Sequence, residues 1–179
     1  MKKIFIIMSL VVNSAFAIDV DIKKSIVSWR GSKITGDFHE GRIFIKKASL
    51  NLENNKIKKG SVIVDLKNFT VSDLQGEWAT KFLTHMKSED FFNVEKFPTA
   101  KIEIKSHVNN EATGELTIMG KKQEVSFPML KFSDKYVGKL IFDRTKFGMI
   151  YGSGNFFKNL GDKMINDQVE VDFEIYLKR

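Results

Sequence analysis

The 179-residue chain contains no cysteine, two prolines and three histidines. The missing cysteine excludes disulfides, thiolate metal sites and a cysteine nucleophile together, and leaves no lipobox residue to acylate. An oxidising compartment permits disulfides without requiring them. His39, His85 and His107 show no metal-ligand spacing with one another or with a nearby carboxylate pair, so structural roles are expected for them and no metal or other cofactor is implied. There is no G-x-S-x-G elbow and no Walker or dinucleotide fingerprint. The glycine-rich run Gly148-Met149-Ile150-Tyr151-Gly152-Ser153-Gly154 does not lead from a strand into a helix, and it reads as a mobile loop rather than a phosphate cradle.

The first seventeen residues read as a secretory signal peptide. Lys2 and Lys3 make a basic start, Ile4 to Val12 is almost wholly apolar, and Ala15-Phe16-Ala17 fits small-x-small cleavage. The apolar run is too short for a membrane anchor, which needs about 20 residues. Cleavage after Ala17 would leave residues 18–179 as a single domain, soluble in the periplasm or outside the cell. The formal net charge of +7 includes Lys2 and Lys3. The remaining charges are scattered along strands as solvated faces, which argues against nucleic acid as a partner. A mild attraction to anionic lipid headgroups is compatible with them.

Scarce proline and the many Val, Ile and Phe at alternate positions point to a sheet-rich fold. Ser25 to Lys33 reads as a strand with Val27 and Trp29 on one face. Phe38 to Lys46 is apolar on both faces, so it is either covered twice or bulged near Gly41. Asn51 to Gly60 is polar, with Asn54-Asn55, and reads as a loop. Ser61 to Phe69 is a strand with Val62, Val64 and Leu66 inward. Ala100, Ile102 and Ile104 alternate with charged residues, and Asn109-Asn110 marks a turn. Leu116 and Ile118, Val125 to Met129, then Leu140 and Phe142 supply further strands. The turns between them fall at Met119-Gly120-Lys121 and Ser133-Asp134. Asp143-Arg144 is read as pairing with neighbouring strands. Val169, Val171, Phe173, Ile175 and Leu177 make the last strand, with the alternation of half-buried antiparallel sheet.

The one convincing helix runs from Asp73 to Met86. Ser72 or Asp73 is placed to cap it, and Glu77 suits its N-terminal dipole. Trp78, Phe82 and Met86 form its expected buried stripe, with Leu83 beside them. The polar connection that follows carries Phe91, Phe92 and Phe97, closed by Pro98. These aromatics either plug one end of a core or line the mouth of an apolar cavity. About eight antiparallel strands with one helix between the third and fourth fold as a sandwich or a closed barrel. Filled core and open lumen use the same residue types, so the alternation does not decide between them.

Several motifs in order resemble one family. Leu83 to Ala100, LTHMKSEDFFNVEKFPTA, is similar to the H-L-K-S-x-D-F-F-D-V-x-x-Y-P-T-A segment of the YceI family, with Met86, Asn93 and Phe97 as departures. Trp29, Gly31 and Lys33, then His39 and Gly41, resemble its W-x-G-x-K and H-x-G pattern. Gly114-Glu115-Leu116-Thr117-Ile118-Met119-Gly120 resembles G-x-L-T-I-x-G. Val125-Ser126-Phe127-Pro128 and Asp143-Arg144-Thr145-Lys146-Phe147-Gly148 also fit. The resemblance covers nearly all of the chain after residue 17. It implies an all-β, eight-stranded antiparallel, lipocalin-like barrel whose lumen holds a polyisoprenoid or similar long apolar chain, with no shared catalytic residues.

On that basis the expected lumen lining is Trp29, Ile43, Val64, Trp78, Phe82, Met86, Phe91, Phe92, Ile102, Ile104, Phe127, Phe142, Val171 and Phe173. The expected protein is a non-catalytic carrier of an isoprenoid lipid. Its only bound group would be that lipid, and transient contact with a membrane or membrane protein, or a homodimer, would be compatible with the role. Two other readings stand beside it. One is a filled barrel serving as an interaction or stress-response module, marked by an exposed apolar patch and no cavity. The other is an enzyme acting on such a lipid or quinone, for which His39 and His85 are the available acid–base candidates.

Overall fold

Strands that alternate in hydropathy must bury one face, and this chain does so by curling an antiparallel sheet around its own apolar side. The computed structural model describes residues 16–53 and 56–178. Among the described residues, ten strands follow in order: β1 (Phe16–Asp19), β2 (Ile26–Lys33), β3 (Phe38–Arg42), β4 (Phe44–Glu53), β5 (Lys56–Asp65), β6 (Thr99–Val108), β7 (Glu111–Ile118), β8 (Lys121–Lys131), β9 (Lys135–Asp143) and β10 (Ile165–Tyr176). A single α-helix, α1 (Gly76–Lys87), lies between β5 and β6 among those residues. The hydrogen-bonded order is β1-β4-β5-β6-β7-β8-β9-β10-β2-β3.

The two ends of that order meet. β3 runs into β4 through Ile43, whose N–H donates to the Val27 carbonyl at 3.0 Å. β1 pairs with β4, and Val20 just beyond it bridges to Leu177. β1 with β2, and β3 with β4, therefore behave as two interrupted strands, and ten segments fill the eight positions of the expected barrel. The helix falls between the third and fourth of those positions. The signal-peptide reading lies almost wholly outside the described residues. Phe16 and Ala17 pair with Leu52 and Asn51 at the start of β1, so cleavage after Ala17 would shorten that strand.

Turn chemistry sets the register of two hairpins. Asn109 and Asn110 have φ of 52° and 63°, and Met119 and Gly120 have φ of 50° and 73°. Two-residue turns with both central φ positive match the right-handed twist of the strands they join. The predicted loop over 51–60 is corrected: β4 continues to Glu53 and β5 begins at Lys56, leaving only Asn54-Asn55, which lie outside the described residues. Its polar residues occupy paired strand positions such as Asn51↔Lys59. The predicted bulge near Gly41 is also displaced. The register between β4 and β5 shifts at Ile45/Lys47, and this moves the inward face from Ile43 and Ile45 to Ala48, Leu50 and Leu52.

Gly41 has a different role. A Cβ there would lie 1.9 Å from the Thr70 carbonyl oxygen, so only glycine admits the strap at 70–73 against β3. That strap covers the free edge of β3. Thr70 N–H donates to the Arg42 carbonyl at 2.9 Å and Ser72 N–H to the Glu40 carbonyl at 2.8 Å. The Asp73 carboxylate accepts from the Glu40 N–H at 2.9 Å and lies 2.7 Å from the His39 Nδ1. The predicted helix cap is therefore overturned. Asp73 is spent on β3, and Gln75 stands at the N-cap without a side-chain bond. A tertiary contact took the oxygen that local sequence had offered to the helix.

Candidate functional site

The inward side chains of the curled sheet do not fill it. They leave a cavity of about 390 Å³, walled by residues such as Val62, Val64 and Leu66 of β5 and its C-terminal end, Ala100, Ile102 and Ile104 of β6, and Val171, Phe173 and Ile175 of β10. Each set is spaced by two, as one face of a strand must be. The filled-barrel alternative required no cavity, and the structure departs from it there.

One end of the cavity is the α1 end. Here Phe82 stacks on Trp29 with ring centroids 6.0 Å apart and planes 5° from parallel, and His39 meets the same Phe82 ring at 4.6 Å. Trp29 Nε1 donates to the Thr70 carbonyl at 3.0 Å, which ties the aromatic group to the strap. The chain after α1 folds back beneath the helix. Phe92 N–H donates to the Met86 carbonyl at 3.2 Å and Val94 N–H to the Lys87 carbonyl at 3.1 Å. This backbone turn drives Phe91 and Phe92 to the cavity, where Phe91 packs against His85 at 5.1 Å and Tyr151 at 5.6 Å. The cavity reaches solvent nearby, since Lys33, Asp37 and the exposed Phe38 also border it.

Arg144 frames this end. Only 2% of it is exposed, yet every side of the guanidinium is engaged. Nη1 donates to the Met149 carbonyl at 2.6 Å and the Tyr151 carbonyl at 2.9 Å; Nε donates to the Asn166 carbonyl at 3.0 Å. Nη2 donates to the Ile165 carbonyl at 3.2 Å and to Asp167 Oδ1 at 3.3 Å. Burial draws its pKa below the usual guanidinium value, against the opposing pull of Asp167 and Asp143. The expected pairing of Asp143-Arg144 with neighbouring strands thus takes a specific form. Arg144 gathers the glycine-rich segment and the start of β10, while Asp143 accepts from the Thr145 N–H at 2.9 Å to cap the turn that follows β9.

At the far end stands Tyr136, 1% exposed, on β9. Its hydroxyl has no hydrogen-bond partner among the described residues. Burial raises its pKa, so it remains a protonated donor at neutral pH.

Of the predicted lining residues, Trp29, Ile43, Val64, Phe82, Met86, Phe91, Phe92, Ile102, Ile104, Phe127, Phe142, Val171 and Phe173 all border the cavity. Trp78 does not. It is 72% exposed, with Lys81 Nζ 5.4 Å from its ring centroid. The four-residue step put Trp78, Phe82 and Met86 on one helix face, but at 1.5 Å per residue Trp78 lies about 12 Å from Met86 along the axis. Gly76, Glu77 and Trp78 at the start of α1 are all exposed, so the apolar face is not covered there. Phe97, the third aromatic of the connection, packs by the turn at Gly120 instead of at the cavity.

His39 and His85 both border the cavity, as an enzyme reading would want. The Asp73 partner of His39 is shared with the Glu40 N–H, however, so the pair acts as a bolt between strap and strand. Among the described residues no cluster of three or more His, Cys, Asp or Glu could hold a metal ion. Sequence reasoning missed Tyr136 and Arg144 as cavity residues. The signal is the step of two from Leu140 back through Gly138 to Tyr136, which places Tyr136 on the same face of β9.

The YceI-like domain model matches residues 16–177. The chain belongs to the YceI-like family. Solved structures agree on the fold: Burkholderia cenocepacia BcnA superposes with a TM-score of 0.67 at 22% identity, covering 88% of this chain and 98% of that one. A polyisoprenoid binding domain from Saccharophagus degradans, implicated in plant cell wall breakdown, gives 0.62 at 11% identity, covering 92% and 99%. The Campylobacter jejuni YCEI protein gives 0.53 at 15% identity, covering 100% and 94%. No curated protein matches the chain. In this YceI-like chain the motif-bearing segment from His85 to Phe92 forms the α1 end of the cavity, and the Asp143-Arg144 motif frames the same end.

Proposed function

We propose that this YceI-like protein is an exported, non-catalytic carrier that holds one long isoprenoid-type chain in the barrel cavity. The observation that carries the reading is the cavity itself: about 390 Å³, almost wholly apolar in its walls, within the range of small-molecule sites. Each buried methylene contributes roughly 0.8 kcal/mol, so an extended chain needs a dry tube and few polar contacts. The fold shared with the Saccharophagus degradans polyisoprenoid binding domain supports the same ligand class. The test is mass spectrometry of an organic extract of protein purified from its native host without detergent. A stoichiometric isoprenoid or quinone is the expected result. An extract free of any long-chain lipid, repeated on protein shown to be folded, would defeat the carrier reading.

Loading from a bilayer fits the outer surface of the α1 end. Ile34, Phe38, Trp78, Tyr151, Phe156 and Phe157 are exposed there, with Lys158 and Lys163 among them. Aromatic side chains favour the membrane interface and lysines favour anionic headgroups. Replacing Trp78 and Phe156 together by Ala is expected to lower co-flotation with phosphatidylglycerol vesicles several-fold while leaving lipid retention in solution unchanged. Equal flotation of the two proteins would remove this docking face from the reading.

A further inference from the structure

We propose that the Tyr136 hydroxyl is a hydrogen-bond anchor at the deep end of the cavity, selecting ligands whose apolar chain ends in a neutral acceptor such as a carbonyl or quinone oxygen, and seating that group innermost. The inference rests on the carrier reading above and adds to it a polarity and an orientation.

Three observations converge on Tyr136. It borders the cavity, it is 1% exposed, and its hydroxyl finds no partner among the described residues. Buried polar groups in folded proteins are nearly always bonded, and an orphan costs its full desolvation. A phenylalanine would pack the same wall without that cost. The neighbourhood offers no internal relief. Tyr136 pairs across the sheet with Lys131 and Ile175, whose side chains do not reach its hydroxyl. The adjacent His107 ring, 5.7 Å away edge to face, is turned to the Met129 carbonyl, with Nε2 2.7 Å from that oxygen.

The charge layout decides what kind of acceptor fits. The basic side chains that border the cavity are Lys33, His39, His85, Lys101 and Arg144. All stand at the α1 end, on strand ends or segments far along the barrel from the turn between β8 and β9 that Tyr136 adjoins. An anionic headgroup at Tyr136 would be a buried charge with a single neutral donor, which is strongly unfavourable. Burial keeps the phenol protonated, so it donates. A neutral carbonyl oxygen meets that donor without carrying charge into the wall.

The experiment compares two probes on the purified full-length mature protein: a long-chain prenyl methyl ketone, and the hydrocarbon in which a methylene replaces its carbonyl. Wild-type protein is expected to bind the ketone on the order of tenfold more tightly. Tyr136→Phe should bring the ketone down to the hydrocarbon and leave hydrocarbon affinity unchanged. Infrared spectroscopy of the bound ketone should show a carbonyl stretch lowered in wild type and restored in the variant, a shift that a purely structural tyrosine would not produce. Phe127→Leu, trimming an apolar wall, should weaken both probes alike. Equal affinities in wild type, equal losses in Tyr136→Phe, or an unshifted carbonyl would overturn the anchor while leaving the carrier standing. If neither probe binds wild type, the carrier reading falls and the anchor with it.

Discussion

Arg144 and Tyr136 border the same cavity, and both are almost completely buried, yet they have opposite hydrogen-bonding lives. The Arg144 guanidinium donates to four backbone carbonyls and one carboxylate. The Tyr136 hydroxyl donates to nothing among the described residues. The first is a frame: it holds a turn-rich segment whose carbonyls would otherwise be orphaned by burial. The second contributes nothing visible to the folded state by its oxygen. Burial alone therefore does not identify a functional polar group; what the group is bonded to does.

Replacing each residue separates frame from anchor. Arg144→Met should have the largest effect, a loss of about 3–5 kcal/mol, because it strands several carbonyls and Asp167 at once. For a chain of this size that is a fall in Tm of roughly 10 °C, measured by calorimetry. A change under about 1 kcal/mol would mean that the segment holds itself. Phe92→Asp puts a charge on the mouth wall and is expected to abolish lipid retention, with about 2–3 kcal/mol lost from stability. Lipid binding unchanged in a folded variant would remove Phe92 from the wall.

Acid should loosen the α1 end before the far end. Burial raises the pKa of the Asp73 carboxyl, but the Glu40 N–H and the His39 ring outweigh it and hold the group below the ordinary aspartate range. Asp65, the last residue of β5 ahead of the strap, is also held low: burial raises it, and the Asn68 side chain and Lys67 N–H more than compensate. A depressed folded pKa gives stability that is present above the unfolded value and disappears as pH falls through the folded one. Hydrogen exchange at the Thr70 and Ser72 amides should therefore accelerate below the ordinary aspartate range, ahead of amides in β9. Asp73→Asn should blunt that response; if exchange in the variant keeps the wild-type acid profile, the strap is held by its backbone bonds alone. The smallest effect belongs to Tyr136→Phe without ligand. Its Tm should match wild type or rise slightly, since the change removes an unsatisfied hydroxyl and little else.

Much of the fold was legible because strand periodicity is local. Val169 to Leu177, Ala100 to Ile104 and the Asn109-Asn110 turn reveal their faces and ends to near neighbours alone. The polar stretch from Asn51 to Gly60 misled because loop and solvated strand share a composition, and only pairing with β5 tells them apart. Asp73 misled because the oxygen suited to capping α1 was taken by β3. Trp78 misled because periodicity reports the angle around a helix, not whether the barrel extends beneath it.

In the strands without a register shift, the amino-acid order by itself determined which side chains point inward, since alternation by two is a property of the extended backbone. It also determined the turns at Asn109-Asn110 and Met119-Gly120 and that no thiol chemistry is available. Only the tertiary structure decided whether those inward side chains meet or leave a gap, because the circumference of a closed sheet depends on how many strands pair and with what stagger. It alone decided that, among the described residues, Arg144 would find five acceptors and Tyr136 none, because those partners come from segments that meet only when the sheet curls.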